Sequence, residues 1–312
     1  MIHMLGGSEV RLLQVLQKEE KIAVSRLSEK MGLSLSTASE LVASLRRKGF
    51  VEVERRGKKR LVSFASAKHA QLMKDLLGRF DYMDFSHLLS GKAFDVLYVL
   101  DRERSAGEIA SAIRAYRASV YRVLGRLMER GVVRKRDARY SLNPGFAGLS
   151  EVSKEAVSYH HRKKALELSP SAVIVWEGLR EFIARAPSAR GVRGFHLTGP
   201  SRLGDYGIPL LSTGSDYYFY SEEKDGVDLY DVVVHTLLID PRSTRYITYL
   251  LILLAKAGVD ERSLLERAEA YGVAREARSL LGFLNTRGRV RGEHFPTWGE
   301  FSEKAKGYGV EV

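Results

Sequence analysis

Residues 45–62 read LRRKGFVEVERRGKKRLV. Eight of these eighteen residues are Lys or Arg, interrupted by Phe50, Val51 and Val53. Charge alone fits any solvated face, so the flanking sequence has to decide the reading. Upstream, Ser8 is positioned to cap a helix whose apolar face is Val10, Leu12, Leu13, Val15 and Leu16. A short helix, AVSRLSEKMG, carries Val24, Leu27 and Met31 and stops at Gly32. Ser34 then caps LSTASELVASLRRKG, with Leu35, Ala38, Leu41, Val42 and Leu45 at helical spacing. Gly49 ends that helix, and FVEVE–RRGKK–RLVSF reads as two strands about a basic turn at Gly57.

Three helices followed by a hairpin is the layout of a winged helix-turn-helix. Shifting the sequence by 82 residues aligns a second copy without a gap. Leu12, Val15 and Leu16 fall on Phe94, Leu97 and Tyr98; Leu27 falls on Ile109 and Met31 on Ile113. Thr37 falls on Ser119, Leu41 on Val123, Leu45 on Leu127 and Gly49 on Gly131. VVRKRDARYSLNP follows as a shorter strand, basic turn and strand. The expected fold class is α+β, with two tandem winged helix-turn-helix domains and a mixed α/β C-terminal domain ending in helices. Its expected divisions are residues 1–66, a linker helix at 67–89, residues 90–146, a connecting helix at 147–170, and residues 171–312.

KMGLSLSTASELVASLRRKGFVEVERRGKKRLVSF resembles the winged helix of ArsR- and MarR-like prokaryotic regulators. YRASVYRVLGRLMERGVVRKRDARYSL is similar in the same way. The shared features are a small residue and Ser/Thr opening the recognition helix, and a Leu-x-x-x-Gly-hydrophobic phrase closing it. The resemblance covers roughly residues 8–66 and 90–144. It implies a DNA-binding transcriptional regulator that contacts double-stranded DNA through both copies.

In such a motif the third helix enters the major groove and offers its first turns to the bases. Ser34, Ser36, Thr37, Ser39 and Glu40 occupy those turns in the first copy, with Arg46 and Arg47 at the far end. Short hydroxyl side chains suit close approach and phosphate contact at a helix N-terminus. The second copy presents Tyr116, Arg117, Ser119, Tyr121, Arg122 and Arg126. Arginine can read guanine with a bidentate contact, so this copy is the expected source of sequence discrimination. A solvated face holding a salt bridge is the other reading of Arg122 and Arg126.

Arg55, Arg56, Lys58, Lys59 and Arg60 surround Gly57, and Arg134, Lys135, Arg136 and Arg139 repeat the pattern. A basic hairpin tip supplies charge to phosphates without demanding close geometry. A tip charged only against edge-to-edge pairing does not explain five cations behind a helix-turn-helix.

Charge distribution agrees. The net charge is +12; residues 1–146 hold 28 Lys/Arg against 16 Asp/Glu, and residues 147–312 hold 22 of each. Such asymmetry marks one polyanion-binding half and one neutral half. At 312 residues the chain has room for two or three domains. It contains no cysteine, which excludes disulfides, thiolate catalysis and cysteine-held zinc. YITYLLILLAKAG at 246–258 is too short to span a bilayer. With no secretory pattern in MIHMLGGSEVRLL, a cytoplasmic protein is expected. Two Asn and three Gln in the whole chain suggest a heat-adapted, archaeal source.

SEVSKEAVSYHHRKKALEL at 150–168 reads as a helix whose Val152, Ala156, Tyr159 and Leu166 would pack on a neighbouring domain or a second protomer. A homodimer is therefore one expectation. Consecutive His160 and His161 point about 100° apart and suit the surface better than a shared ion. His196, His235 and His294 are isolated in sequence, so neither metal nor cofactor is expected. WEGLREFIARA reads as a helix, GFHLTGP as a strand and turn, and DYYFYSE and DLYDVVVHTLLI as β or mixed segments. Helices are expected at 242–257, 260–271, 273–285 and 297–307.

FHLTGPSRLGDYGI resembles the Leu-Thr-Gly-x-Ser phrase of nucleotidyltransferase-like domains, including those fused to winged helices in abortive-infection antitoxins. Catalysis there needs paired carboxylates for two metal ions. Here Pro200 intrudes, Asp205 has no Asp two residues away, and Asp216 is followed by Tyr217 and Tyr218. The expectation is a non-catalytic relative and no enzyme, with a turn at Thr198–Gly199–Pro200. An antitoxin-like autoregulator capturing a protein, or a small-molecule effector at this domain, are the accompanying alternatives. A nucleic-acid-targeted nucleotidyltransferase ranks behind them.

Overall fold

The computed structural model describes residues 5–188, 191–210 and 214–312. They form two compact units, divided between Arg162 and Lys163.

The first unit opens with α1 (Gly7–Gln17), β1 (Ile22–Ala23), α2 (Val24–Met31), α3 (Leu35–Arg47), β2 (Val51–Arg56) and β3 (Lys59–Phe64). β3 lies between β1 and β2, antiparallel to both, with Ile22 opposite Val62 and Val51 opposite Phe64. α1 starts earlier than the expected Ser8 cap. Gly6 is its N-cap, and the Glu9 carboxylate accepts the Gly6 N–H at 2.6 Å. Ser34 caps α3 by accepting the Thr37 N–H at 3.1 Å. Leu12, Leu13, Leu16, Leu27, Ala38, Val42, Leu45, Phe50 and Val62 fill the core. Leu35 does not join them and is 56 % exposed, because the first residue of α3 projects past the core with the hydroxyls beside it.

A linker follows, with α4 (Lys68–Arg79) and α5 (Phe85–Leu88). Then come α6 (Ala93–Val99), β4 (Arg104–Ser105), α7 (Ala106–Ala112), α8 (Arg117–Glu129), β5 (Val133–Arg136) and β6 (Arg139–Leu142). The sheet order β4-β6-β5 has the same connectivity as β1-β3-β2. Adding 82 to the bounds of β1 and α3 gives those of β4 and α8. Gly49 and Gly131, also 82 apart, both turn the chain with positive φ, at 76° and 67°. The second hairpin is shorter, as is α6 beside α1, and the hairpin tip places Asp137 and Ala138 at φ 46° and 61°. α9 (Gly148–Leu168) begins in this unit and buries Leu149, Val152, Ala156 and Val157. His161 is buried as well, contrary to the surface position expected for it, because it faces inward from α9 with those apolar residues.

The second unit contains β7 (Val173–Glu177), β8 (Glu181–Pro187), β9 (Phe195–Leu197) and β10 (Ser215–Ser221), hydrogen-bonded in the antiparallel order β7-β8-β10-β9. WEGLREFIARA is thus a strand, a turn and a strand, not a helix. β8 is an inner strand whose consecutive residues feed different cores. Ile183 points to one, while Phe182, Ala184 and Ala186 point to the other. A run buried on both faces has no amphipathic period to betray it.

The converse holds for DLYDVVVHTLLI, which folds as α10 (Leu229–Ile239). Asp228 and Asp231 build a reciprocal cap at its start. Val232 through Leu237 are all buried, so packing overrides the strand preference of the three valines. α11 (Thr244–Ala257), α12 (Glu261–Tyr271), α13 (Ala274–Asn285) and α14 (Trp298–Lys306) complete the helical tail. Among the described residues no helix is long and apolar enough to cross a membrane.

Candidate nucleic-acid interface

The leading turn of α3 is a row of hydroxyls. Ser34, Ser36 and Thr37 are exposed, and the Ser34 and Thr37 hydroxyls lie 2.8 Å apart, which fixes both rotamers. Ser39, one turn on, accepts a hydrogen bond from Arg60 Nη2 at 2.9 Å. That contact fastens the β2–β3 hairpin to the helix. Arg60 is therefore a brace as well as a charge.

The hairpin register explains the rest of the charge. Arg55 stands opposite Arg60, and Arg56 opposite Lys59. Like charges directly opposed across a strand pair are destabilising. Among the described residues Arg46, Arg47, Arg55, Arg56, Lys58 and Lys59 belong to no salt bridge, and all six are exposed. Glu54, on the same strand as Arg55 and Arg56, is held by Lys21 at 2.7 Å. An unneutralised cationic tip is stable only while solvated or while a polyanion covers it.

The second hairpin is arranged differently. Arg136 and Arg139 are opposed, and Lys135 lies 5.7 Å over the ring of Tyr140. Arg139, however, donates to the Glu103 carbonyl at 3.1 Å and pairs with Glu108 at 3.3 Å, while Arg134 donates to Ser141 Oγ at 3.0 Å. Glu108 also closes the cap of α7 with Ser105, and those two hydrogen bonds keep its carboxyl below the usual range. Arg136 pairs with its exposed neighbour Asp137 at 3.6 Å, so this tip is partly neutralised where the first is not.

On α8, Tyr116 and Tyr121 are 87 % and 54 % exposed, with Arg117 and Arg122 exposed beside them and Ser119 half-buried. Arg126 does not share this face. Its guanidinium donates to the Ser90 carbonyl at 3.0 Å and to Ser90 Oγ at 3.3 Å, and burial lowers its pKa. One helical turn beyond Arg122, the side chain has swung onto the linker, away from the exposed Tyr and Arg side chains of α8.

Residues 5–60 match the MarR family. The match covers the first three-helix layout and its hairpin, and it supports a MarR-like winged helix of DNA-binding, regulatory type at residues 5–60. Residues 192–310 match a second family, HVO_2833_C, described as C-terminal. No curated protein matches the chain.

Against the MarR-like frame, the C-terminal unit holds the polar groups that sequence reasoning missed. Asp231 is buried and pairs with both Lys224 and Arg267. Burial opposes its ionisation, but the bonds from Lys224 and the Asp228 N–H and the charge of Arg267 outweigh this and hold its pKa low. One turn on, His235 Nδ1 meets Thr198 Oγ1 at 2.7 Å, its ring 4.4 Å from that of Phe219. Burial pushes His235 down to about 4, so it is neutral. Thr198 and Gly199 are thus committed to packing against α10; a side chain at Gly199 would meet Ile239 and Thr236. Only the Asp228/Asp231 spacing of the cap could have signalled this network.

A cleft of about 200 Å³ in the same unit is lined by Arg185, Ser201, Asp216, Tyr217, Arg245 and Tyr246. Burial and a hydrogen bond with Tyr217 push Tyr246 up to about 12. Asp216 accepts from Ser188 Oγ at 2.6 Å, and Asp205 pairs with Arg202 at 2.9 Å. Among the described residues no three His, Asp or Glu side chains are grouped to hold a metal ion.

Proposed function

We propose that the chain is a transcriptional regulator that grips double-stranded DNA with two winged helices, one around α3 and one around α8. The observation that carries this reading is the β2–β3 tip. Its cations are paired with each other across the strands, lack salt bridges, and are braced by Arg60 against the hydroxyl-bearing start of α3. In this reading α3 contributes close backbone contacts through Ser34, Ser36, Thr37 and Ser39. α8 contributes base discrimination through Arg117, Tyr121 and Arg122, with Ser119 on a flanking phosphate. Arg46, Arg47, Arg55, Arg56, Lys58, Lys59, Arg134, Lys135 and Arg136 neutralise phosphates. The cleft beside Arg185 and Arg245 is where the reading places a small effector.

Selection from a random duplex pool with the full chain, followed by a salt titration on the enriched sequence, tests it. Each phosphate neutralised contributes about 0.9 to the slope of log K against log salt. The double variant Arg56→Ala/Lys59→Ala is expected to lower that slope by about 1.8. A slope identical to the parent removes the tip from the interface, and a pool without any enriched sequence overturns sequence-specific binding.

A further inference from the structure

A chain with two reading heads can carry them as beads on a string or as one rigid tool. The contacts inside the first unit decide between these. The linker is fastened at both ends. Gln14 Nε2 of α1 donates to the Met83 carbonyl at 2.8 Å, and Arg126 of α8 donates to the Ser90 carbonyl at 3.0 Å. Between them Phe85, Leu88 and Leu89 are buried, and Phe80 stacks on Phe146 at 4.4 Å.

α9 is a second brace across the same two heads. Lys68, at the start of α4, pairs with Glu155 of α9 at 2.7 Å, and Lys154 of α9 pairs with Asp101, just past α6, at 2.8 Å. These exposed pairs are weak by themselves. The stronger element is Tyr159. Its ring packs over Gly49, at the end of the first recognition helix, and lies 4.8 Å from the ring of His69. His69 in turn is hydrogen-bonded to the Lys48 carbonyl at 3.1 Å. Both heads, the linker and the α9 residues that make these contacts fall within one compact unit.

The reading surfaces that these braces hold are unlike: hydroxyls on α3, Tyr and Arg on α8. The geometry points to a single copy of the chain occupying an asymmetric site, made of two different half-sites at one fixed spacing set by the linker and α9. This rests on the DNA-binding reading above and deepens it. Two flexibly tethered heads would accept a range of spacings, because a tether only sets an effective concentration. Braced heads accept one. Inserting a full helical turn restores the rotational phase but not the reach, so it does not rescue a rigid pair.

The test uses the full chain and the duplex enriched from the random pool, with one, five and ten base pairs inserted between its two protected segments. Each insertion is expected to lower affinity at least tenfold, to the level of one isolated segment, with a stoichiometry of one chain per parent duplex. Tyr159→Ala is expected to shrink that tenfold penalty to under threefold while leaving affinity for the isolated first segment unchanged. Lys154→Glu, which sets two carboxylates against each other without emptying the core, is expected to shrink it by a smaller factor. Equal affinity after a ten-base-pair insertion, a footprint confined to one segment, or two chains on a symmetric site overturns the inference while leaving DNA binding intact. An unenriched pool overturns the sequence-specific binding on which the inference rests.

Discussion

α3 and α8 have the same length, follow the same pair of elements, and are both followed by a glycine in the left-handed region. Yet one helix opens on Ser34, Ser36 and Thr37 and the other on Tyr116, Arg117 and Tyr121. The two frames are alike where packing acts: Leu27 and Ile109, and Leu45 and Leu127, are fully buried counterparts. They differ where solvent acts. A close-packed interior feels each methylene, whereas an exposed face is free to take on a second chemistry. Even the two glycines have separated in role. Gly49 lies beneath the Tyr159 ring, while a side chain at Gly131 would meet open space.

That contrast sets the largest expected effect. Gly49→Ala combines a left-handed backbone with overlap against Tyr159, and should cost about 2–5 kcal/mol. Gly131→Ala has the backbone term alone, about 1–2 kcal/mol. Urea unfolding of both variants measures the difference, and equal losses would show that Tyr159 yields easily.

Arg122 and Arg126 sharpen the comparison on α8. Arg122→Ala is expected to relax discrimination at one base pair by about 1–3 kcal/mol with the unfolding midpoint unchanged. Arg126→Ala should do the reverse, losing about 1–3 kcal/mol of stability by stranding the Ser90 carbonyl while the salt slope stays put. Competition binding with single-base variants, beside denaturation, separates the two. The smallest effect belongs to the second hairpin tip. Ala138→Gly relieves a positive φ at a position where glycine is at ease, and is expected to add about 0.5–1 kcal/mol. An unchanged midpoint would mean that the tip already relaxes in solution.

The frame of the first unit was open to reading because its cores are amphipathic. Helical spacing in Val10 to Leu16 and in Ala38 to Leu45, broken by Gly32 and Gly49, leaves little choice of element. Leu35 and Arg126 depart from that frame for local reasons. Leu35 fits the helical period but lies at the first position, beyond the core. Arg126 continues the basic row of α8 but is rotated onto the linker. In the second unit the period failed. β8 is buried on both faces from Glu181 to Ala184 and α10 is buried all round from Asp231 to Leu237, so neither displays the alternation or the stripe that distinguishes strand from helix.

By itself the sequence determined the charge asymmetry, the 82-residue spacing, and the hydroxyl and arginine character of the two helix starts, all properties of residue identity and period. Tertiary structure alone decided which cations stay outward. Cross-strand register set Arg55 against Arg60 and Arg56 against Lys59, while Ser39, Ser90 and Glu108 drew Arg60, Arg126 and Arg139 into bracing roles. The three bracing contacts reach partners 21 to 36 residues away, and no local pattern encodes a contact at such a distance.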